Sequence, residues 1–362
     1  MKNDISKILN SSSVKNKLSF DTLMKKGLLI STLAFGMIFF TAQVTLAVEV
    51  KTQVGSIMSQ TNMRHVTFKN GQIIMAGNLY LPDSFDEKKQ YPTIIVTHPG
   101  GGVKEQTAGL YAQKLAKKGF ITLAFDASHQ GESGGEPRFL ENPSERVEDI
   151  RSGVDYLTTL KFVDQNRIAA LGICAGGGYS IHAAMTEHRI KAVATVSGFD
   201  IGLGFRKGWH GDGTLSDQLK LLDQVAQQRT LEANGAEPVY INYVPEKPDA
   251  NTPRDLREAT EYYRTPRGQH KNSQNQLLFS SVDKIIAFDA TENIQELLKQ
   301  PLLLIAGRDA ESLWHSQHFY DLAKTKKELF LIDHATHMTM YDQPDHVNKA
   351  VDKLASFYNT NL

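Results

Sequence analysis

From about residue 63 onward, short apolar runs alternate with longer amphipathic stretches. Two strand-like stretches, 64–69 and 73–81, flank Asn70-Gly71 and predict an antiparallel hairpin with a tight turn. Further apolar runs predict buried strands at 93–97, 121–125, 167–173 and 191–196. Amphipathic patterns between them predict helices at 104–118, 143–160 and 175–187. Because buried strands that alternate with helices pair side by side in parallel, the pattern predicts a mostly parallel sheet with helices on both faces.

This alternation stops between about residues 198 and 300, where the chain is more polar and mostly helical in pattern. Strand patterns resume at 302–306 and 329–332, and helical patterns at 313–323 and 346–358. We interpret the intervening region as a helical insertion that covers the sheet as a lid. The sequence from residue 48 to 362 is then one α/β domain rather than two.

The N-terminal segment differs from the rest of the chain. An uncharged apolar run at 27–41 follows a pair of lysines, and small residues precede and include Ala47. This pattern is typical of a secretory signal peptide, here residues 1–47, and Met24 is a more usual starting point for one. We expect a periplasmic or secreted protein. The run is shorter than the roughly 20 residues of a spanning helix, so no stable membrane span is expected after cleavage, and an uncleaved anchor is the alternative.

Composition excludes several classes of partner. The formal net charge is +0 and the sequence pI is about 7.2, which gives no field to attract nucleic acid or an anionic membrane. The sequence contains no HExxH, paired CxxC or GxxxxGK[ST] motif, so we expect neither a metal nor another cofactor. The single cysteine, Cys174, cannot form an internal disulfide, which leaves a reactive thiol or an inert buried one.

The surroundings of Cys174 favour a reactive thiol. It is the centre of Gly172-Ile173-Cys174-Ala175-Gly176, where a predicted strand passes directly into a predicted helix. Glycines on both sides permit a sharp, strained turn that raises the central side chain above the sheet. The helix N-terminus also favours a thiolate, which is a strong nucleophile near neutral pH. The motif therefore predicts that Cys174 is a nucleophile, with a buried structural cysteine as the alternative.

A base and an acid are predicted from two later loops. His337 and Asp309 each follow a predicted strand, so both should reach the same sheet edge as Cys174. His337 would accept the thiol proton, and Asp309 would orient its imidazole and stabilise its charge. The alternatives are Asp200 or Glu311 for the acid and His334 for the base. His182, within a predicted helix, is interpreted as structural.

Acyl transfer also requires donors for a developing oxyanion. One is the backbone N–H of Ala175, directly after the nucleophile, and the second is expected from the glycine-rich loop 98–102. Within that loop Gly101 is the first choice and Gly100 the next. The loop 126–133 lies at the same edge, and its polar side chains either line the pocket or bind one another. Candidate substrate contacts are His98, His129, Arg264 and Arg267.

Three segments resemble one family. HPGGGVKEQ, AFDASHQGESGGEPR and RIAALGICAGGGYS are similar to the dienelactone-hydrolase-like branch of the α/β hydrolases, as are residues 262–268 and the motifs around Asp309 and His337. The resemblance covers most of the chain after residue 63. It implies an α/β-hydrolase fold and a Cys-His-Asp triad of Cys174, His337 and Asp309, which hydrolyses an ester-type bond without a metal. The long insertion and the export signal depart from that family, so the substrate can differ.

These observations predict an enzyme that acts on a small ester, lactone or thioester. Cys174 would form an acyl-enzyme, and water activated by His337 would release the acyl group. An acyltransferase with the same triad is one alternative. A non-catalytic exported binding protein that keeps the fold is another.

Overall fold

The structure is a computed structural model that describes residues 62–362. The predicted signal peptide at 1–47 lies outside the described residues. Within 62–362, no helix combines the length and the hydrophobicity that crossing a bilayer requires.

The described chain has ten strands. They are β1 (Met63–Asn70), β2 (Ile73–Tyr80), β3 (Tyr91–Thr97), β4 (Ile121–Phe125), β5 (Val163–Ile173), β6 (Ile190–Val196), β7 (Tyr240–Asn242), β8 (Gln276–Leu278), β9 (Leu302–Gly307) and β10 (Lys327–Ile332). Eight of them form one sheet in the order β1-β2-β4-β3-β5-β6-β9-β10. β2 runs antiparallel to β1 and β4, and the other neighbouring pairs are parallel. The mostly parallel sheet that the sequence predicted is confirmed.

The first hairpin forms close to its predicted place. β1 ends at Asn70, which pairs with Ile73, so the turn consists of Gly71 and Gln72. Gly71 has a φ of 55°, a left-handed conformation that glycine adopts without a steric penalty. The turn is therefore one residue later than Asn70-Gly71.

Eleven α-helices complete the described chain. They are α1 (Thr107–Ala116), α2 (Pro143–Thr158), α3 (Ala175–Ala184), α4 (Ile201–Lys207), α5 (Leu215–Ala233), α6 (Arg254–Arg264), α7 (Val282–Ala287), α8 (Ile294–Leu297), α9 (Leu313–Leu322), α10 (Thr339–Asp342) and α11 (Pro344–Asn361). Successive side chains of β3 enter different cores: Ile95 joins one apolar cluster, and Ile94 and Val96 join the other. Because strand side chains alternate between faces, both faces of the sheet are buried under helices, as predicted.

The insertion lies between β6 and β9 and contains α4 to α8 together with the antiparallel pair β7–β8. Its apolar residues share the cores of the sheet. Leu221 and Leu277 belong to the cluster of Ile95, and Tyr262 belongs to the cluster of Ile94. The insertion is thus packed into the same domain. The three-residue strands β7 and β8 were not predicted, because so short an alternation is not distinguishable from loop.

Candidate active site

Cys174 lies between the end of β5 and the start of α3, at the carboxyl edge of the sheet. Its φ of 52° and ψ of −124° are strained for a residue with a side chain. A Cβ on Gly172 would lie 2.1 Å from the carbonyl oxygen of Gly176, and a Cβ on Gly176 would lie 2.4 Å from that of Thr97. Only glycine fits at both positions, so the sharp turn expected from the motif is present.

Cys174 is partly buried. Burial raises its pKa, and hydrogen bonding to the Tyr341 hydroxyl and to the N–H groups of Ala175 and Gly100 acts in the opposite direction. In the glycine-rich loop the Gly100 N–H acts on the thiol, whereas the Gly101 carbonyl accepts a hydrogen bond from Ser273 Oγ at 2.7 Å. The assignment of Ala175 with Gly101 or Gly100 as oxyanion donors remains a prediction.

His337 is buried at the same edge, with 1% of its surface exposed. Its Nδ1 lies 2.6 Å from Ser312 Oγ, and its Nε2 lies 3.3 Å from Tyr341 Oη. Burial lowers the pKa of His337 to about 3, so the imidazole is neutral at physiological pH. Ser197 holds the loop by donating from Oγ to the His337 carbonyl at 3.2 Å. A neutral imidazole beside a thiol is able to act as a base.

Asp309 follows the carboxyl end of β9, as predicted, but its carboxylate is not the group that contacts the imidazole. It is an exposed residue whose backbone N–H donates to the Ala335 carbonyl at 3.0 Å. Among the described residues, the group at Nδ1 of His337 is the Ser312 hydroxyl rather than the Asp309 carboxylate. The chain after β9 turns so that Ser312, at the N-cap of α9, faces the imidazole. A catalytic role for Asp309 remains a prediction.

The alternative acids and base are engaged elsewhere. The Asp200 carboxylate caps α4 by accepting a hydrogen bond from the N–H of Leu203 at 3.0 Å. Glu311 and Asp255 each accept a hydrogen bond from the other's backbone N–H, at 2.9 and 2.8 Å. His334 is exposed and has a φ of 62°. His337 is therefore the histidine that the structure brings to the Cys174 site.

Comparison with known proteins agrees with this fold. A family model described as serine aminopeptidase, S33, matches residues 89–344. The chain belongs to this family of α/β hydrolases. The α/β-hydrolase fold that the sequence predicted is thereby confirmed, and the dienelactone-hydrolase-like branch stays a prediction.

Two of the relatives match most of this chain, and a third matches about a third of it. Escherichia coli (strain K12) YcjY is 43% identical over 306 residues, which are 84% of this chain and 100% of YcjY. Pseudomonas aeruginosa PA2218 is 35% identical over 310 residues, 84% of this chain and 82% of PA2218. The crystal structure of PA2218 superposes with a TM-score of 0.80 and covers 89% of this chain and 100% of that one. A fungal protein, thiohydrolase apmlB of Arthrinium phaeospermum, is 29% identical over 35% of this chain and 39% of its own length.

Both loop histidines proposed as substrate contacts have structural roles in the hydrolase. His98 is fully buried, with Nδ1 2.6 Å from the Pro99 carbonyl oxygen, and its Nε2 accepts a hydrogen bond from the Ala127 N–H at 3.1 Å. It therefore joins the glycine-rich loop to the next loop along the edge. His129 lies 3.1 Å from Glu145 Oε2 through its Nε2. Sequence alone does not reveal that backbone and carboxylate groups occupy these ring nitrogens.

The two arginines proposed as substrate contacts bind protein groups. Arg264 donates to the Val244 carbonyl at 3.1 Å. Arg267 forms a two-fold ion pair with Asp342, with Nε and Nη2 at 2.7 and 2.8 Å from the carboxylate oxygens. Because Asp342 follows Tyr341, Arg267 fixes the insertion to the segment that carries Tyr341.

The loop 126–133 also binds itself rather than lining an open pocket. The buried Lys104 Nζ lies 2.7 Å from Glu105, 2.8 Å from Asp126 and 2.7 Å from Glu132. Their carboxylate oxygens are close enough together to hold a metal ion. The lysine ammonium already supplies the positive charge at their centre, so this cluster is an internal ion-pair network that ties two loops together.

Sequence reasoning missed a buried carboxylate that contacts the insertion. Glu141 is fully buried, with its oxygens accepting hydrogen bonds from Tyr179 at 2.5 Å and Tyr243 at 2.9 Å, and Arg146 lies 3.7 Å away. The Tyr243 ring covers the glycine-rich loop so closely that a Cβ on Gly101 would lie 2.6 Å from it. Glu141 thus positions Tyr243, a side chain of the insertion, against the glycine-rich loop. Its surrounding sequence has no periodic pattern that would have indicated this role.

Proposed function

We propose that this hydrolase cleaves an ester-type bond of a small molecule, with Cys174 as nucleophile and His337 as base. The observation that carries the proposal is the position of the Cys174 side chain. It is held on a strained turn against two backbone N–H donors, and Tyr341 connects it to a buried, neutral imidazole. Nucleophile, oxyanion donors and base are the three parts that acyl transfer requires.

Both partners start uncharged in the proposed mechanism. Burial raises the pKa of the Cys174 thiol and lowers that of His337, so the proton leaves sulfur as the bond to carbon forms. The carbonyl electron pair moves to oxygen, which receives hydrogen bonds from the Ala175 and Gly100 N–H groups. The oxyanion then collapses and expels the alcohol or thiol, which takes a proton from His337. Water deprotonated by His337 cleaves the resulting thioester on Cys174 and restores the thiol.

Esters, lactones and thioesters are all compatible with this sequence of steps. Thioesters are favoured because a thiolate is a good leaving group and because a matching fungal relative is named a thiohydrolase. The insertion would act as a lid, since its Tyr243 covers the oxyanion loop. We further infer export from the 27–41 segment, which N-terminal sequencing of protein from the periplasm or medium would test.

The decisive experiment measures hydrolysis of p-nitrophenyl acetate and of an acetyl thioester by the parent and by Cys174→Ala. We expect turnover in the parent and loss of enzymatic turnover in the variant, with an acetyl adduct on Cys174 detected by mass spectrometry. Cys174→Ser is the matched control, because it replaces the thiol with a hydroxyl nucleophile on the same turn. An acetyl adduct without turnover in the parent would favour an acyltransferase. Equal rates in parent and Cys174→Ala would contradict the proposal.

A further inference from the structure

The Tyr341 hydroxyl lies between the nucleophile and the base. Its oxygen is 3.3 Å from His337 Nε2, and the hydroxyl is close enough to the Cys174 thiol to lower the pKa of that thiol. Burial raises the pKa of Tyr341 well above its usual value, so the phenol keeps its proton across the physiological range. A neutral hydroxyl both donates and accepts, which allows it to bond to both groups at once.

The position of this hydroxyl is fixed by its surroundings. Tyr341 follows His337 by four residues and is 2% exposed. Its ring is packed edge-on against Tyr262 at 5.3 Å and against Tyr263 at 6.4 Å. The next residue, Asp342, is held by the ion pair with Arg267. These contacts restrain the Tyr341 side chain and so hold its hydroxyl beside the imidazole.

The far side of the imidazole complements this arrangement. Ser312 Oγ lies 2.6 Å from Nδ1, where it accepts the Nδ1 proton in the tautomer that leaves a lone pair on Nε2. That lone pair points to the Tyr341 hydroxyl. The chain Ser312–His337–Tyr341–Cys174 is then oriented to move a proton away from sulfur.

We propose that Tyr341 is a further catalytic residue, which relays the Cys174 proton to His337. The inference rests on the proposed function. As sulfur bonds to the carbonyl carbon, the thiol proton moves to Tyr341 Oη, and the phenol's own proton moves to His337 Nε2. Tyr341 stays neutral, the imidazole becomes an imidazolium, and the carbonyl electron pair resides on the oxyanion. The leaving group recovers the proton from the imidazolium when the intermediate collapses.

The test compares Tyr341→Phe with Tyr262→Phe in the full chain. Tyr262 is a matched control because its ring also contacts Tyr341, whereas its hydroxyl is bound by the Thr107 N–H. We expect Tyr341→Phe to lower kcat for p-nitrophenyl acetate by about 100-fold, the usual size of a proton-transfer contribution, with KM little changed. Tyr262→Phe should keep kcat near the parent value. Parent-like kcat in Tyr341→Phe would overturn the relay.

A second readout needs no substrate. The rate of Cys174 alkylation by iodoacetamide against pH reports the pKa of the thiol. We expect this profile to move to higher pH in Tyr341→Phe, because the thiolate loses a donor. Placing 3-fluorotyrosine at position 341 keeps the ring and makes the hydroxyl a stronger donor, so the profile should move to lower pH. Unchanged profiles in both variants would overturn the proposal even if Tyr341→Phe folds poorly.

The outcomes separate this inference from the proposed function. Loss of turnover in Cys174→Ala, together with full turnover in Tyr341→Phe, would leave Cys174 as nucleophile and reject the relay. Full turnover in Cys174→Ala would reject the proposed function itself, whatever the result at Tyr341.

Discussion

The nucleophile side and the base side of the Cys174 site are formed by different groups, backbone on one side and side chains on the other. The nucleophile side is made of backbone: a strained turn between β5 and α3, and two N–H groups that face the thiol. The base side is made of three side chains, Ser312, His337 and Tyr341, which come from the two segments that follow β9 and β10. Backbone geometry is set by a few adjacent residues, whereas side-chain hydrogen bonds depend on how distant loops meet. The two sides should therefore respond differently to substitution.

The largest expected effect is on the backbone side, in Gly172→Ala. The added Cβ would lie 2.1 Å from the Gly176 carbonyl oxygen, and backbone cannot move aside without opening the turn. We expect the free energy of unfolding to fall by more than about 3 kcal/mol, at the upper end of what an inserted methyl group costs. Urea denaturation followed by circular dichroism measures it.

Gly71→Ala is the matched control for a glycine replaced by alanine. Its φ is 55°, but a Cβ there would meet no heavy atom within 4 Å. The cost should be only that of a left-handed alanine, about 1 kcal/mol. Equal losses of unfolding free energy in Gly172→Ala and Gly71→Ala would mean that close packing at Gly172 adds nothing to the cost of replacing a glycine.

A smaller effect, on activity, is expected on the base side in Ser312→Ala. The Nδ1 of His337 would lose its partner, and the imidazole could adopt the other tautomer or rotate. We expect kcat/KM for p-nitrophenyl acetate to fall roughly 10-fold to 100-fold, as misplaced catalytic groups usually cause.

Asp309→Asn tests the base side at the residue that the sequence predicted as the catalytic acid. Asp309 is exposed and Ser312 occupies Nδ1, so kcat/KM should stay close to that of the parent. A larger loss in Asp309→Asn than in Ser312→Ala would show that the aspartate reaches the imidazole during the reaction, and the predicted Cys-His-Asp triad would then replace the serine arrangement.

The same division explains what could be predicted from sequence. The eight strands of the large sheet, the hairpin near Gly71 and the turn at Cys174 follow from local patterns: apolar runs, alternation, and glycines on both sides of one residue. His337 also lies at the sheet edge, because it is in the segment that follows the carboxyl end of β10. Each of these features is determined by residues close together in the chain.

The features that were missed depend on contacts between distant segments. Ser312 and Tyr341 meet His337 only because the loops after β9 and β10 converge. Glu141 reaches Tyr243 across 102 positions of the chain. Polar residues in loops gave the opposite error: His98 looked available for substrate, but its ring nitrogens bind backbone groups. Hydrogen bonds between distant segments produce no periodic pattern in the sequence, so they cannot be predicted from it.

The remaining effects concern pH, and they separate a base-side histidine from one outside the site. Burial lowers the pKa of His337 to about 3, whereas an unfolded histidine titrates near 6.5. The unfolded chain gains a proton that the folded protein does not, so stability is full above about pH 6.5 and falls as pH drops toward 3. Burial alone would lower the pKa of His129, but the Glu145 carboxylate outweighs it and raises that pKa. Its stabilising contribution is present below about pH 6.5 and is lost as pH rises.

Urea denaturation of His337→Gln and His129→Gln at a series of pH values distinguishes these two cases. Between pH 6.5 and 4, the unfolding free energy of the parent should fall more steeply than that of His337→Gln, by up to about 1.4 kcal/mol per pH unit. His98 and His182, whose pKa values are also lowered by burial, remain in both proteins, so the difference in slope belongs mainly to His337. His129→Gln should differ from the parent mainly below pH 6.5, where it lacks the protonated pair with Glu145, and this loss is smaller because Glu145 is partly exposed to solvent. If both variants changed the slope in the same direction, His337 would not be a buried neutral base, and the contrast between the site and its surroundings would fail.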